Sequence, residues 1–348
     1  MNTFFIEFRD PLFGIIIFFA LIFVITFFSY WWGRYKAKED SKDVDKFLEQ
    51  FKANRADDTL SDMIATSSVS ANIWMLLANS YYKSGAYEKS IEIYTELVKK
   101  EESSQIKDLL LTLGKTYYKA GFLERAKQVF LEILKNNPRT PQALQYLFLI
   151  YEQMREYTKA KEVLEPLEAM EIDVSLDTAY IEVLSIIHDF KQDESQKVQA
   201  LLEIHKRSHR LTYMIFAYLF QKDPKSAWKN FDCSRSELLI DILWALPNQA
   251  LDFDIIASNG FLKELYSARG DLLLAKNSFL FELDILIQLQ QKVDVTLSFE
   301  YVCDHCKTVY PFAFHRCSNC HKIDTQRIDF QVVKDYYKDI SEENNSFQ

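Results

Sequence analysis

Trp74-Met-Leu-Leu-Ala78-Asn-Ser-Tyr81-Tyr-Lys-Ser-Gly85-Ala-Tyr87-Glu-Lys-Ser90 is answered downstream by Leu110-Leu-Thr-Leu113-Gly114-Lys-Thr-Tyr117-Tyr-Lys-Ala-Gly121, followed by Ala126, Phe130, Ile133 and Pro138. A third copy runs through Leu144, Leu147, Phe148, Tyr151, Tyr157, Ala160, Leu164 and Leu167. Ala78, Gly114 and Phe148 occupy one register, at offsets of 36 and 34 residues. The residue types at each register have a steric reason. Small side chains at Ala78, Ser90, Gly114, Ala126 and Ala160 let paired helices approach closely. Large ones at Tyr81, Tyr94, Tyr117, Phe130, Tyr151 and Leu164 fill the space between successive pairs. Gly85 and Gly121 stand where the chain leaves the first helix of a pair, and a positive φ there is cheap for glycine alone.

A period near 34 residues with this arrangement of small and large positions is the tetratricopeptide pattern. The fold class expected is all-α: an α-solenoid preceded by a transmembrane helix and followed by a small four-cysteine ribbon. Such arrays commonly bind peptides or partner proteins on the face built by the first helix of each pair. By register, Asn79, Tyr82, Lys115, Tyr118, Gln145, Leu149 and Glu152 are expected there, exposed, as partner-binding candidates.

Four of the five cysteines lie near the C-terminus, as Cys303-x-x-Cys306 and Cys317-x-x-Cys320 with ten residues between the pairs. Each pair forms a tight knuckle, and two knuckles supply the four soft donors that a tetrahedral ion requires. One structural metal ion is expected, zinc or iron, since thiolates suit both. His305, His315 and His321 flank the knuckles and are expected outside the ligand shell. Cys233, among apolar neighbours, reads as a buried small hydrophobe.

Residues 11–33 contain no charge and are dominated by Phe, Ile and Leu. At about 1.5 Å per residue such a segment spans a hydrocarbon core of about 30 Å. Tyr30, Trp31 and Trp32 form an aromatic boundary, and Arg34, Lys36, Lys38, Lys42 and Lys46 follow. The positive-inside rule then leaves residues 1–10 outside and the body in the cytoplasm, where thiols stay reduced and bind metal. Residues 34–68 read as a linker and degenerate first helical pair, 69–170 as the repeats, 171–296 as divergent helical repeats, 297–330 as the metal ribbon and 331–348 as a polar tail. Within the divergent part, helices are expected at 179–188, 199–206, 212–220, 236–244, 261–266 and 272–289, with Pro224 and Pro247 as breaks.

A net charge of −9 argues against nucleic acid as a partner. Catalysis finds little support: there is no phosphate-binding glycine loop and no zincin motif. His205 and His209 read as an ordinary exposed helix end. The chain is therefore expected not to be an enzyme.

The anchor ending in Tyr30-Trp-Trp-Gly33-Arg34, the stretch Ala143-Leu-Gln-Tyr-Leu-Phe-Leu-Ile-Tyr151 and the spacing of Tyr301-x-Cys303-x-x-Cys306 to Cys317-x-x-Cys320 carry a resemblance. Over nearly its whole length the chain resembles the lipopolysaccharide assembly protein B family. That resemblance implies a rubredoxin-like ribbon packed against the repeats, in a protein of the bacterial inner membrane. It implies an adaptor that helps a membrane-anchored AAA+ protease degrade the lipid A deacetylase, and contacts with lipopolysaccharide-synthesis proteins. A homodimer is a further partner arrangement open to such a chain. Rubredoxin-like knuckles usually place glycine after the second cysteine and proline after the third. Lys307 and Ser318 stand at these positions, so an altered knuckle geometry is expected. Two other classes fit the same features: a membrane-tethered scaffold for another assembly, and a rubredoxin-like electron carrier.

Overall fold

The structure is a computed structural model, and it describes residues 18, 21–31, 60, 63, 64, 70–100, 106–289 and 294–334. The chain divides into two compact units, Met1–Ile150 and Tyr151–Gln348. In the first unit, residues 21–31 are helical and their side chains are exposed all round. Among the described residues no helix is long and apolar enough to cross a membrane. The rest of the expected span, and most of the degenerate first pair, lie outside the described residues.

The body of the first unit is built from helical hairpins. Helix α1 (Ala71–Lys83) pairs with α2 (Tyr87–Lys100), and α3 (Ile106–Lys119) with α4 (Leu123–Asn136). Both connecting turns use glycine at positive φ, 82° at Gly85 and 81° at Gly121, as the repeat register requires. The amides of Ala86 and Phe122 then return to the carbonyls of Tyr81 and Tyr117, at 2.9 Å each. All five small positions are buried. The reason is sharpest at Gly114, where an added Cβ would lie 2.7 Å from Cζ of the fully buried Phe130 ring. Trp74, Ala78, Ile93, Tyr94, Leu97, Leu109 and Leu113 form one core with Ile64. Ile64 ties a residue of the eroded segment to the first hairpin.

Helix α5 (Pro141–Gln153) carries the boundary between the units. In the second unit, α6 (Tyr157–Glu168), α7 (Ser175–Ile187), α8 (Glu194–Arg207) and α9 (Thr212–Lys222) each pack on the next. The turn before α6 has no glycine. Arg155 itself takes φ 59°, and the Glu156 amide reaches the Tyr151 carbonyl at 2.8 Å. Pro224 does more than interrupt: it opens α10 (Pro224–Asn230), where its missing N–H costs nothing and Asp223 caps the Ser226 amide. The helix expected at 236–244 is a 3-10 stretch, Cys233–Leu239, passing into α11 (Ile240–Ala245). Helices α12 (Phe253–Ser258), α13 (Gly260–Arg269) and α14 (Phe281–Leu289) follow.

The single helix expected over 272–289 is therefore wrong in its first half. Gly270, at φ 91°, ends α13 in a left-handed cap, and residues 271–280 form an ordered non-helical loop. Cys233 is half-buried rather than buried. His205 is no free helix end either. Its ring lies edge-on to Phe216 at 5.0 Å and its Nε2 is 3.2 Å from Thr212 Oγ1.

The chain is not purely helical. Strands β1 (Val295–Cys303), β2 (Val309–Tyr310) and β3 (Gln326–Lys334) form an antiparallel sheet in the order β2-β1-β3. The β1–β3 register runs from Val295 opposite Lys334 to Cys303 opposite Gln326. This pairing carries β3 through residues 331–334, into the segment read as tail. Few side chains of the ribbon are buried: Leu297, Val302, Ile323 and the two cysteines Cys303 and Cys317.

Candidate metal centre

Cys303 ends β1, and Cys306 follows in the turn leading to β2. Cys317 and Cys320 lie on a second turn, closed by the Arg316–Ile323 bridge. The four sulfurs all fall within 4.8 Å of one another. Cys303 and Cys320 are 3.7 Å apart at sulfur, and Cys306 and Cys317 are 3.6 Å apart. A tetrahedron with metal–sulfur bonds of about 2.3 Å has edges of about 3.8 Å, whereas a disulfide requires about 2.05 Å. The donor set and its spacing therefore fit one tetrahedral ion and not two disulfides.

Hydroxyls surround the sulfurs. Thr325 Oγ1 lies 3.2 Å from Cys303, Thr308 Oγ1 3.2 Å from Cys306, and the Tyr310 hydroxyl 3.2 Å from Cys317. Hydrogen bonds to a thiolate stabilise its charge and hold its direction. The Thr308 hydroxyl and amide pull the Cys306 thiol down to about 5. Burial pushes Cys320 up to about 12, so ligation of an ion there must displace the thiol proton.

The altered knuckle geometry expected at Lys307 does not occur. Lys307 takes φ 59° itself, and so does His321, the residue after the fourth cysteine. Their amides reach back to the carbonyls of Cys303 and Cys317 at 2.7 and 2.8 Å. Both knuckles thus keep the left-handed residue that closes the turn, in a conformation costing a side chain about 1–2 kcal/mol. Lys307→Gly is accordingly expected to stabilise the metal-loaded ribbon by about 1 kcal/mol, visible as slower exchange of β1 and β3 amides. Faster exchange would show that the lysine side chain contributes more than its backbone costs.

The second knuckle is bolted to helices of its own unit. Arg316, adjacent to Cys317, places Nε 2.8 Å from Glu152 and Nη2 3.2 Å from Asp177. Its guanidinium lies over the Tyr180 ring at 4.9 Å, and Nη1 donates to the His321 carbonyl at 2.8 Å. Burial pushes the Glu152 carboxyl up, and Arg316 pulls it back down. On β1, Tyr301 and Tyr213 of α9 both donate to the buried Asp241 carboxylate, at 2.8 and 2.7 Å. Arg210 pairs with Asp324 at 3.5 Å. His315 is packed against Tyr213, with burial lowering its basicity, and belongs to this contact rather than to the ligand set. His305 and His321 likewise stand outside the sulfur cluster.

The proposed partner-binding face is only partly exposed. Asn79 and Gln145 are exposed, and Tyr82 and Lys115 are half-buried. Tyr118 and Leu149 are buried, contrary to the exposure expected of them. Tyr118 packs edge-on against Tyr146 at 5.4 Å, which register alone did not single out. Tyr146 also stacks on Phe130 at 5.3 Å and lies under Lys115 Nζ at 5.6 Å. Glu152 is committed to Arg316 and is not free for a peptide. Of the expected residues in the first unit, Asn79, Tyr82, Lys115 and Gln145 keep side-chain surface open to solvent, and Tyr146 beside them is half-buried.

The tetratricopeptide repeat model matches residues 71–99, which make up the α1–α2 hairpin. A search of curated proteins returns no match. Among solved structures, a tetratricopeptide repeat protein from Parabacteroides merdae ATCC 43184 is similar at 13% identity, over 63% of this chain and 98% of that one, with a TM-score of 0.31. The matched hairpin, with the second one built on the same glycine turn and small-residue contacts, identifies tetratricopeptide-like repeats in the first unit.

Proposed function

We propose that the chain is a non-enzymatic adaptor, held at the bacterial inner membrane with its body in the cytoplasm, that couples lipopolysaccharide precursor synthesis to regulated proteolysis. The observation that supports an adaptor best is the Arg316 junction, which holds a metal ribbon on helices of the second unit. An adaptor needs surfaces that keep their geometry. The repeat hairpins offer one, through Tyr82, Lys115 and Tyr146. The ribbon offers another, braced by a structural zinc or iron ion at Cys303, Cys306, Cys317 and Cys320. The uncharged segment 11–33 supplies the tether, and the family resemblance supplies the partners: a membrane-anchored AAA+ protease and the lipid A deacetylase.

Depletion of the protein is expected to raise the deacetylase level and disturb lipopolysaccharide content. Cys303→Ser should reproduce depletion. Unchanged deacetylase turnover in a clean deletion would remove the lipopolysaccharide role and leave a tethered scaffold for another assembly. Mass spectrometry of proteins captured with the full-length tagged chain would then identify that assembly.

A further inference from the structure

The four clustered sulfurs are alike as donors but not in what surrounds them. A metal-bound thiolate carries no proton, so each neighbouring hydroxyl must be the donor. Thr325 donates to Cys303, Thr308 to Cys306 and Tyr310 to Cys317, at 3.2 Å each. Two of these hydroxyls are aimed by donors of their own. Asn319 Nδ2 donates to Thr308 Oγ1 at 3.0 Å, and Ser318 Oγ to the Tyr310 hydroxyl at 3.2 Å, which leaves both hydroxyl hydrogens for sulfur. Cys320 has no hydroxyl against its sulfur among the described residues; the Lys322 amide reaches it instead. Exposure divides the set differently. Cys303 and Cys317 are fully buried, whereas Cys306 and Cys320 are half-buried. Of the four, Cys320 alone is both reachable from solvent and without a hydroxyl cap.

We propose that Cys320 is the reactive thiolate of the ribbon, the position at which a peroxide enters the metal site. A hydrogen bond withdraws charge from the sulfur that accepts it, so the uncapped sulfur keeps the greatest nucleophilicity. Its Sγ attacks a peroxide oxygen and the O–O bond breaks. The departing hydroxide takes a proton to become water, leaving a sulfenic acid on Cys320. The resolving thiolate is already at hand, since Cys303 Sγ lies 3.7 Å away. It attacks the Cys320 sulfur, the S–S bond forms, the S–O bond breaks and a second water leaves. Two thiolates have then lost two electrons to the peroxide. The ion is released with them, because a thiolate is a ligand and a disulfide is not. The new bond joins the end of β1 to the second knuckle, so the chain stays stapled across the two turns when the ion departs. This reactivity rests on the metal-loaded ribbon of the proposed function, not on the membrane tether or the partners.

The test uses the full-length chain in detergent, loaded with zinc and assayed by elemental analysis for one ion per chain. Iodoacetamide is added below stoichiometry, and fragmentation mass spectrometry locates each adduct. Cys306 is the fair comparison: it is half-buried too and also receives an amide, from Thr308, so the Thr308 hydroxyl is the difference. Cys320 is expected to react roughly tenfold faster, the effect of one hydrogen bond to a charged group. Thr308→Val removes the hydroxyl and keeps the shape, and should bring Cys306 up to the rate of Cys320. Thr308→Ser should restore the difference. Hydrogen peroxide should give a Cys303–Cys320 disulfide with one zinc released for each, read with a chromophoric chelator and reversed by dithiothreitol and added zinc. Cys306 reacting first in the wild-type chain overturns the proposal, as does a Cys306–Cys317 disulfide as the first oxidation product. Equal rates at all four cysteines overturn it too, since the ion would then leave before any sulfur reacts. A Thr308→Val chain whose Cys306 stays slow assigns the order to exposure alone and equally overturns it. No zinc on the purified chain removes the metal centre itself, and this reactivity with it.

Discussion

Cys317→Ser should empty the metal site and unfold the ribbon. Cys317 is fully buried, and its sulfur lies 3.6 Å from that of Cys306, so serine would place a hard hydroxyl where a soft thiolate must ligate. The sheet cannot compensate. Apart from Cys303 and Cys317 themselves, its buried side chains are Leu297, Val302 and Ile323. Each such side chain contributes about 1.5–3 kcal/mol, against about 1–2 kcal/mol of backbone entropy for every residue ordered. A structural zinc in a small module contributes about 10–16 kcal/mol of apparent folding free energy, which is the term the variant loses. Elemental analysis should fall from one ion per chain to none. Amides of β1 and β3 should lose exchange protection while those of α1–α4 keep theirs. One ion retained per chain, with protected strands, would show that three thiolates suffice.

The parts legible in sequence are those governed by local rules. Gly85 and Gly121 announced two helical turns because only glycine takes their φ cheaply, and the cysteine spacing announced the sulfur cluster. The third turn was less visible, since Arg155 adopts the same backbone conformation without the residue that advertises it. Lys307 misled in the same way: identity suggested a changed knuckle, and the hydrogen bond to Cys303 kept the turn. The loop at 271–280 read as helix because Leu272-Leu-Leu-Ala-Lys has high helix propensity. Gly270 and the Ser267 hydroxyl overrode it, and neither effect appears in a hydrophobic pattern. Burial of Tyr118 follows from its contact with Tyr146, on a different helix, so register within one repeat could not forecast it. Least legible was Arg316. Asp177 lies 139 positions upstream, and nothing in a flanking arginine identifies a distant carboxylate.

That arginine gives the largest expected effect outside the metal shell. Arg316→Met keeps much of the aliphatic stem over Tyr180 but removes the charge between Glu152 and Asp177. Glu152 is left 12% exposed at its side chain with its cation gone. Removing one partner of a buried pair costs about 3–5 kcal/mol, because the other charge stays desolvated. Asp177, 32% exposed, is partly rescued by water, so a loss of about 3 kcal/mol is expected. The pH dependence has a definite sign. Burial already raises the Glu152 carboxyl above 4.5, and removing Arg316 removes an influence that lowers it. A carboxyl raised in the folded state favours folding below its unfolded pKa and loses that advantage as pH rises through the folded value. The deficit of Arg316→Met should therefore be small in acid and grow above pH 4.5 until Glu152 is ionised. Glu152→Gln in the same background should recover much of it, since the neutral amide needs no cation. Hydrogen exchange of the second knuckle's amides at several pH values reads both effects. A pH-independent deficit, or one that Glu152→Gln deepens, would mean that Arg316 acts through its packing on Tyr180 and its bond to the His321 carbonyl rather than through charge.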